Sequence, residues 1–344
     1  MRHFKNDYGM GAHPAVLAAL VKANAEVHGG YGEDSHCRRA AALIRELCAA
    51  PAADVHFLAG GTQTNLTAIA AFLRAHEGVI AADSGHIADN ETGAVEAGGH
   101  KIITVPNQNG KATPAAVLAA AAQHCDERRV KPRLLYLSDA TETGTVYTKS
   151  ELSALREACG RRGLYLYLDG ARLAQAIASP ASDMTLADVA ALCDAFYIGG
   201  TKNGLLFGEA LVLVNDALKP DFRYVLKQRG AMLAKAHVVG LQFEALMSDG
   251  LWLELAGHAN ANAARLRDHL SALGVAFAYD SPTNMLFPIL DDSVVKELER
   301  DFAFHRMGTA NGGSIVRLVT SWLTTADECD AFTERVKTLT MERA

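Results

Sequence analysis

Short apolar segments alternate with longer segments of helical periodicity over the first two thirds of the chain. The short segments are bounded by Gly, Asp or Ser, which is typical of buried strands; they cover residues 79–82, 101–105, 134–137, 164–168, 195–198 and 210–214. Segments rich in Ala, Leu, Glu and Arg lie between them, at residues 63–76, 114–124, 149–162 and 186–192. Strands that alternate with helices predict an α/β fold with a mostly parallel sheet covered on both faces.

The pattern changes after about residue 220. Two long helical stretches, 224–248 and 251–273, precede short strands near 275–279, 283–289 and 314–321 and helices near 293–301 and 326–339. No Pro-rich or Ser-rich linker separates the two patterns. We therefore expect a large domain over residues 15–247 and a small α+β domain over residues 248–344, joined by helix.

The composition argues against several classes of protein. Lys and Arg total 33 against 39 Asp and Glu, a net charge of −6, which lacks the basic footprint of a nucleic-acid binder. The longest apolar runs fall far short of the ~20 residues of a membrane helix, and no signal peptide is expected. Six scattered cysteines without a Cys-x-x-Cys pair are typical of buried, reduced thiols in a cytoplasmic protein.

Common phosphate, dinucleotide and zinc motifs are missing from the sequence. The segment Gly199 to Gly204 is not followed by the Lys-Ser/Thr of a P-loop, and no Gly-x-Gly-x-x-Gly follows the first strand. The spacing of the thirteen histidines does not support a metal site, so none is predicted.

Two charged residues follow neighbouring predicted strands. Asp169 comes directly after residues 164–168, and Lys202 follows residues 195–198 across two glycines. Ligands of parallel α/β sheets bind beyond the carboxyl ends of strands, so these side chains could face one crevice. Pyridoxal phosphate chemistry requires a lysine that forms a Schiff base and a carboxylate that keeps the pyridine nitrogen protonated. Taken singly, a surface lysine and a helix-capping aspartate remain equally reasonable interpretations.

The segment Gly60-Gly61-Thr62 precedes a predicted helix. Gly61 lets the backbone approach an anion, and the helix N-terminus offers free N–H groups. The segment suits a cofactor phosphate, although a plain glycine turn with a Thr cap has the same pattern.

With these features the chain resembles the low-specificity threonine aldolase family. The motifs that carry the resemblance run from residue 4 to residue 322: Phe4-Lys5-Asn6-Asp7, Gly11-Ala12-His13-Pro14, Tyr31-Gly32-Glu33-Asp34, Gly60 to Asn65, Gly85-His86-Ile87, Thr141 to Tyr147, Leu168 to Arg172, Gly199 to Gly204 and Val316 to Trp322. The resemblance implies the aspartate-aminotransferase-like pyridoxal phosphate fold, fold type I, with a seven-stranded sheet. It also implies a homodimer or homotetramer with active sites at the subunit interface, and residues 1–14 near the site.

The resemblance implies the following cofactor-binding residues: Gly61, Thr62, His86, Asp169, Arg172, Lys202 and Lys227. Lys202, His86 and Asp169 would be catalytic, with His86 stacking on the cofactor ring. Lys227 matches a basic position that reaches the phosphate of a neighbouring subunit, but a solvated basic helix face fits equally well.

The resemblance implies a substrate site formed by Asn6, Tyr31, Glu142, Arg172 and Arg317. Arg317 matches the arginine that receives the α-carboxylate, and a guanidinium suits a bidentate carboxylate. Two positions depart from the family: Asn6 replaces a serine, and Glu142 replaces a histidine. The base for the β-hydroxyl is therefore open between His86, Glu142 and a water.

These features predict a pyridoxal-phosphate-dependent lyase that cleaves threonine, allo-threonine and similar β-hydroxy-α-amino acids to glycine and an aldehyde. The alternatives are racemisation or β-elimination on the same scaffold, and a non-catalytic binding protein, against which the retained Lys202 argues.

Overall fold

The computed structural model describes residues 1–341. Its strands are β1 Arg2–His3, β2 Asp54–Leu58, β3 Glu77–Ala82, β4 Ile102–Val105, β5 Lys131–Ser138, β6 Tyr165–Asp169, β7 Ala195–Gly199, β8 Glu209–Leu213, β9 Met285–Leu286, β10 Ile289–Leu290, β11 Phe302–Ala303, β12 His305–Ala310 and β13 Gly313–Val319. Its α-helices are α1 Pro14–Ala23, α2 Ser35–Leu47, α3 Gly61–Phe72, α4 His86–Asp89, α5 Ala94–Ala97, α6 Pro114–Gln123, α7 Lys149–Arg162, α8 Leu173–Ile177, α9 Leu186–Leu192, α10 Phe222–Gln228, α11 His237–Met247, α12 Leu251–Ala272, α13 Asp292–Leu298 and α14 Ala326–Met341. Within this part of the chain, no helix combines the length and the apolar character that spanning a membrane requires.

Seven strands form the central sheet, in the order β2-β8-β7-β6-β5-β3-β4. Only β8 runs against the others, antiparallel to β2 and β7. The predicted mostly parallel seven-stranded sheet is confirmed. Strand β2, at the sheet edge, was not predicted, because Asp54 and His56 interrupt its apolar pattern and only its last two residues are buried.

Side chains along the central strands alternate between two hydrophobic cores. In β5, Leu135 and Leu137 pack in one core, while Leu134 and Tyr136 pack in the other. This period of two follows from the pleat of a strand. Because both faces of the sheet are covered, each central strand is a continuous apolar run in the sequence.

The small domain has its own sheet and core. Strand β13 pairs antiparallel with β10, β12 and β9, helix α13 packs on it, and α14 packs against α12 and α13 in the same core. Helix α12 contributes to both cores: Trp252 and Leu255 pack in the large domain, and Leu266 and Leu270 pack in the small one. The two domains therefore share this helix instead of being joined by a flexible linker.

The N-terminal segment crosses from the small domain to the large one. Strand β1 pairs in parallel with β11, and Phe4 is buried in the small-domain core. Further along, the His13 N–H donates to the carbonyl of Gly204 (2.8 Å) before α1 begins. The intervening residues thus pass close to the loop that carries Lys202.

Four predicted elements differ from the structure. The strand expected over 283–289 is two short strands, β9 and β10, because residues 287–288 interrupt it. The helix expected over 63–76 ends at Phe72, because Leu73 is extended and leads the chain into β3. The stretch 224–248 forms two helices, α10 and α11, separated near Gly230, which has φ of 69°. Residues 275–279 form no strand and make a single bridge, between Phe277 and Pro288.

The six cysteines are all free, and five of them are buried. Burial raises the pKa of Cys48 and Cys159 to about 12, so these thiols stay protonated and unreactive. Cys125 alone is exposed.

We expect a thiol reagent to modify one cysteine per native chain quickly and all six after unfolding. Rapid modification of several thiols in the native protein would contradict this packing.

Candidate active site

The carboxyl ends of β6 and β7 lie side by side and carry the two predicted chemical groups. Asp169 is the last residue of β6, and Lys202 follows the end of β7. Both line one cavity of about 300 Å³. The two loops touch so closely that only glycine fits at their start, since a Cβ on Gly170 would lie 1.8 Å from the carbonyl oxygen of Tyr197.

Seven of the eleven predicted site residues line this cavity: Gly61, Thr62, His86, Glu142, Asp169, Arg172 and Lys202. Eight residues that were not predicted line it with them: Tyr8, Asn90, Ser138, Ala140, Ala171, Tyr197, Thr201 and Glu209. The remaining four predicted residues, Asn6, Tyr31, Lys227 and Arg317, are not among the lining residues.

Four donors orient the buried carboxylate of Asp169. Its Oδ1 accepts from the Tyr197 hydroxyl (2.5 Å) and the Ala171 N–H (3.0 Å), and its Oδ2 accepts from the Tyr136 hydroxyl (2.6 Å) and Asn65 Nδ2 (2.8 Å). Burial and the charge of Asp169 raise the pKa of both tyrosines well above their ordinary value, so the phenols remain donors. A carboxylate held in this way at a cavity wall suits a protonated ring nitrogen.

Lys202 is half-buried and lies near one positive charge and three carboxylates. Burial and the charge of Arg172 lower the pKa of Lys202, against the opposing charges of Asp7, Glu142 and Asp169. A lowered pKa increases the fraction of neutral amine, which is the form that attacks an aldehyde. Lys202 therefore has the environment of a nucleophilic lysine.

A buried polar chain runs from His86 to Asp169. His86 Nδ1 lies 2.8 Å from Oε1 of Glu91, which also accepts from Asn65 Nδ2 (2.8 Å). The same amide of Asn65 reaches Asp169. Burial opposes protonation of His86, but the hydrogen bond with Glu91 and the charges of Glu142 and Asp169 outweigh burial and raise the pKa of His86.

Arg172 is already paired within the chain. Its Nε and Nη2 donate to the two carboxylate oxygens of Asp7 (2.7 and 3.1 Å), and Asn284 donates to the same carboxylate (3.0 Å). Burial opposes the charge on Asp7, but Arg172 outweighs it and lowers the pKa of Asp7. This ion pair fixes the N-terminal segment against the cavity.

Arg317, on β13 of the small domain, is a half-buried arginine without such a partner. Its Nε is buried and makes no hydrogen bond within the described residues 1–341. Burial and the charge of Arg172 lower the pKa of Arg317. A buried guanidinium with an unused donor is suited to receive an anionic group of a ligand.

Glu209, the first residue of β8, is a buried acid on the cavity wall. Its Oε2 accepts from the N–H of Gly200 (3.0 Å), and burial raises its pKa to about 8. Glu142 lines the same cavity and is half-buried. The cavity thus combines acidic and basic groups that can exchange protons.

The N-terminus of α3 borders the cavity at Gly61 and Thr62. Its N-cap, Gly60, makes no side-chain capping bond, so the first N–H groups of the helix are left for a ligand. A Cβ on Gly61 would lie 3.1 Å from the hydroxyl of Tyr197. With Lys202 and Asp169 on the same cavity, these residues fit pyridoxal phosphate: a helix N-terminus for the phosphate, an amine for the aldehyde and a carboxylate for the ring nitrogen.

Tyr31 and Lys227 lie together on a different surface. They line an open cleft of about 580 Å³, where the Lys227 ammonium stands 4.6 Å from the centre of the Tyr31 ring. Asn6 lies beside the cavity, where its side chain accepts from the N–H of Tyr8 (3.2 Å). Within one chain these residues are therefore not brought to the cavity wall.

Several residues that hold the site in place were not predicted as site residues: Asp7, Asn65, Glu91, Tyr136, Tyr197 and Glu209. Tyr136 could have been found from the period of two, since it lies opposite Tyr167, which shares a face of the sheet with Asp169 two residues later. Asp7 belongs to the motif Phe4-Lys5-Asn6-Asp7. Glu91 lies in a loop between two short helices, where no sequence pattern indicates a site residue.

Comparison with known proteins gives consistent matches over most of the chain. The family model described as "Beta-eliminating lyase" matches residues 7–293. A protein from Pseudomonas aeruginosa named low specificity L-threonine aldolase is 33% identical over 98% of this chain and 96% of its own length. A protein of the same name from Escherichia coli strain K12 is 28% identical over 84% of this chain and 85% of its own length.

Solved structures share the fold. A threonine aldolase from Leishmania major superposes with a TM-score of 0.97 at 50% identity, covering 98% of this chain and 99% of that one. An aspartate aminotransferase from Thermus thermophilus superposes with a TM-score of 0.72 at 17% identity, covering 98% of this chain and 91% of the other. The predicted aspartate-aminotransferase-like fold is thereby confirmed.

Proposed function

This chain belongs to the beta-eliminating lyase family, and from that premise we propose that it cleaves L-threonine, L-allo-threonine and related β-hydroxy-α-amino acids to glycine and an aldehyde. It is a carbon–carbon lyase that uses pyridoxal phosphate. The observation that carries the proposal is the meeting of Lys202, Asp169 and His86 on one cavity. The matches to threonine aldolases support the choice of substrate.

The cofactor site is formed by residues whose chemistry matches each part of the cofactor. Gly61 and Thr62 would bind the phosphate at the start of α3, Asp169 would hold the ring nitrogen, and Lys202 would provide the amine for the aldehyde. When bound, the cofactor supplies a ring that accepts the electron pair left at Cα.

The substrate is positioned by its carboxylate. Arg317 does not line the cavity, but the charges of Arg172 and Glu142 on the cavity wall act on it. It has a buried Nε that needs a partner, whereas Arg172 already holds Asp7. We therefore assign the carboxylate chiefly to Arg317, with Arg172 and Asn6 beside it.

His86 accepts the proton of the β-hydroxyl in this proposal. Glu91 takes the hydrogen bond of Nδ1–H and leaves Nε2 as the basic nitrogen. Loss of this proton turns the β-hydroxyl into the carbonyl of the departing aldehyde, and Cα gains a proton to give glycine. Glu142 remains the alternative acceptor, directly or through a water, because it lines the same cavity.

Tyr31 and Lys227 are proposed to act in a neighbouring subunit. They are exposed, lie together in an open cleft and do not line their own chain's cavity. A dimer or tetramer that seats this cleft over a second cavity would bring Lys227 to the cofactor phosphate and Tyr31 to the substrate.

A product assay tests the function. The purified protein, loaded with pyridoxal phosphate, is incubated with L-threonine, L-allo-threonine, phenylserine and serine, and glycine and aldehyde are measured. We expect glycine and acetaldehyde in equal amounts from threonine. Release of an oxo acid and ammonia would assign β-elimination instead, and inverted threonine alone would assign racemisation. No reaction with any of them would refute the aldolase assignment.

Substitution of Glu91 by glutamine should shift the pH dependence of cleavage. Asn65 donates to Oε1 of Glu91, and in the variant it should hold the glutamine oxygen in that place. The substitution therefore removes mainly the negative charge. The raised pKa of His86 then falls. Because the neutral imidazole is the base, activity rises with pH through this pKa, and the acidic limb of the kcat profile should move to lower pH.

The matched control for that experiment is Glu96→Gln, which removes an exposed carboxylate from the same region. Its profile should coincide with that of the parent protein. An unchanged acidic limb in Glu91→Gln would show that His86 is not the titrating base and would favour Glu142.

A further inference from the structure

A cluster of metal-ligating side chains lies outside the catalytic cavity, where the loop between α1 and α2 packs on α2. Glu26 and His28 belong to the loop, and His36 stands in the first turn of α2. Oε2 of Glu26 lies 3.2 Å from Nε2 of His36 and 3.4 Å from Nε2 of His28. These three atoms all lie within 4.8 Å of one another, and none of the residues lines the catalytic cavity.

The separations match those of ligands around a single ion. In a tetrahedral shell with bonds of about 2.0–2.1 Å, two ligand atoms lie about 3.3 Å apart. The two distances from Glu26 have this length. Two imidazole nitrogens and one carboxylate oxygen are ligands that Zn²⁺ accepts, with a water in the fourth position.

The histidines are buried, and one lacks a partner. The side chains of His28 and His36 are 7% and 6% exposed. Nε2 of His28 makes no hydrogen bond within the part of the chain that the structure describes, because its approach to Glu26 is not aligned for one. A buried polar atom without a partner calls for an unseen ligand, water or ion.

A second carboxylate orients His36. Nδ1 of His36 lies 2.6 Å from Oε2 of Glu244, whose carboxylate also accepts from Arg39 Nε (2.5 Å). Arg39 Nη2 approaches the same imidazole nitrogen (2.7 Å). Arg39 Nη2 is a donor and can face Nδ1 only while that nitrogen carries no proton. In the metal-binding tautomer the proton is on Nδ1 and is donated to Glu244, and Nε2 presents its lone pair toward Glu26. This carboxylate–histidine arrangement is the usual support of a metal ligand.

An ion has a route to the cluster. A cleft of about 330 Å³ is lined by Glu26 and His36, together with Lys22, Arg39 and Glu244. On the other side of the cluster, the ring of His237 packs 4.9 Å from that of His28. The cluster is therefore open to solvent on one side and closed by a ring on the other.

We propose that Glu26, His28 and His36 bind one divalent transition-metal ion of the Zn²⁺ class, with water as the fourth ligand. The ion joins the loop of residues 24–34 to α2, and through Glu244 to α11. Because the loop also carries Tyr31, binding holds this residue in place. The site stands on its own contacts and does not depend on the proposed aldolase activity.

Calorimetric titration of chelator-washed holoenzyme with Zn²⁺ tests the site. We expect one ion per chain for the parent protein and no binding of that ion by His28→Asn. Glu244→Gln removes no ligand but weakens the support of His36 and the ion pair with Arg39, and it should weaken binding about 10- to 100-fold. Glu46→Gln, an exposed carboxylate on α2, is the matched control and should bind as the parent does.

Thermal unfolding of each variant without zinc checks that the fold is kept. Added Zn²⁺ should raise the Tm of the parent protein and of Glu46→Gln, but not that of His28→Asn. Cys125→Ser separates this site from the exposed thiol and should bind normally. Absence of binding by the parent overturns the proposal. Undiminished binding by His28→Asn, or loss of binding in Cys125→Ser, places the ion elsewhere and overturns it as well.

Discussion

Replacement of Lys202 by alanine is expected to lower the rate of threonine cleavage by at least about a thousandfold. Lys202 is the lysine on the cavity wall whose pKa is lowered, by burial and by Arg172, toward the neutral form that attacks an aldehyde. Without it the cofactor has no covalent attachment, and the proton transfers of an amine at this position are lost. Steady-state release of glycine from L-threonine measures the effect.

A spectroscopic readout separates loss of attachment from loss of folding. Borohydride treatment of the parent protein should fix the cofactor on the peptide that contains Lys202, as detected by mass spectrometry, and Lys202→Ala should show no such label. Lys101→Ala removes an exposed lysine and should keep both label and rate. Cofactor fixed on another lysine of the parent protein, or near-normal turnover by Lys202→Ala, would remove Lys202 from its assigned role.

Replacement of Arg317 by alanine should have the second largest effect, through the binding of the substrate carboxylate. Removing one partner of a buried charge pair costs about 2–5 kcal/mol, which corresponds to a fall of roughly 30- to 5000-fold in kcat/KM. Arg317→Lys should recover only part of this loss, because an ammonium cannot hold a carboxylate through two parallel hydrogen bonds. Kinetics with L-threonine over a wide concentration range measures the effect.

An amine without a carboxylate gives the matched control for Arg317. Binding of 1-aminopropan-2-ol, followed through the cofactor spectrum, should be nearly the same in the parent and in Arg317→Ala, whereas binding of glycine should weaken strongly in the variant. Arg306→Ala, on the neighbouring strand, removes a partly exposed arginine paired with Glu299 and should leave kcat/KM unchanged. Equal weakening for both amines would mean that Arg317 supports the fold of the site instead of the carboxylate.

Much of the fold follows from periodicity. The strands of the large domain were predicted within a few residues except β2, whose Asp54 and His56 hide an edge strand. The small domain was harder to predict, because its strands β9, β10 and β11 have only two residues each and depend on partners distant in sequence. A strand that short has no periodic pattern of its own and exists because neighbours supply its hydrogen bonds.

The candidate site, like the fold, was only partly predictable from the sequence. Asp169 and Lys202 could be placed together from the sequence because the ends of adjacent parallel strands meet at one sheet edge. The link of His86 to Glu91 could not, since the two residues are joined by a turn that has no regular pattern. The juxtaposition of Glu26, His28 and His36 also could not be predicted, because the three residues come from a loop and a helix that only packing brings together.

The sequence by itself determined the chemical inventory: a lysine and an aspartate at two strand ends, a glycine-rich helix start and an arginine on a late strand. Each of these features is local, so neighbouring residues in the sequence are enough to recognise it. Only the tertiary structure decided which charges are paired. Arg172 is taken by Asp7, while Arg317 keeps an unused buried donor. Pairing and burial depend on how segments from both ends of the chain pack, and the free energy of a buried charge is set by that surrounding.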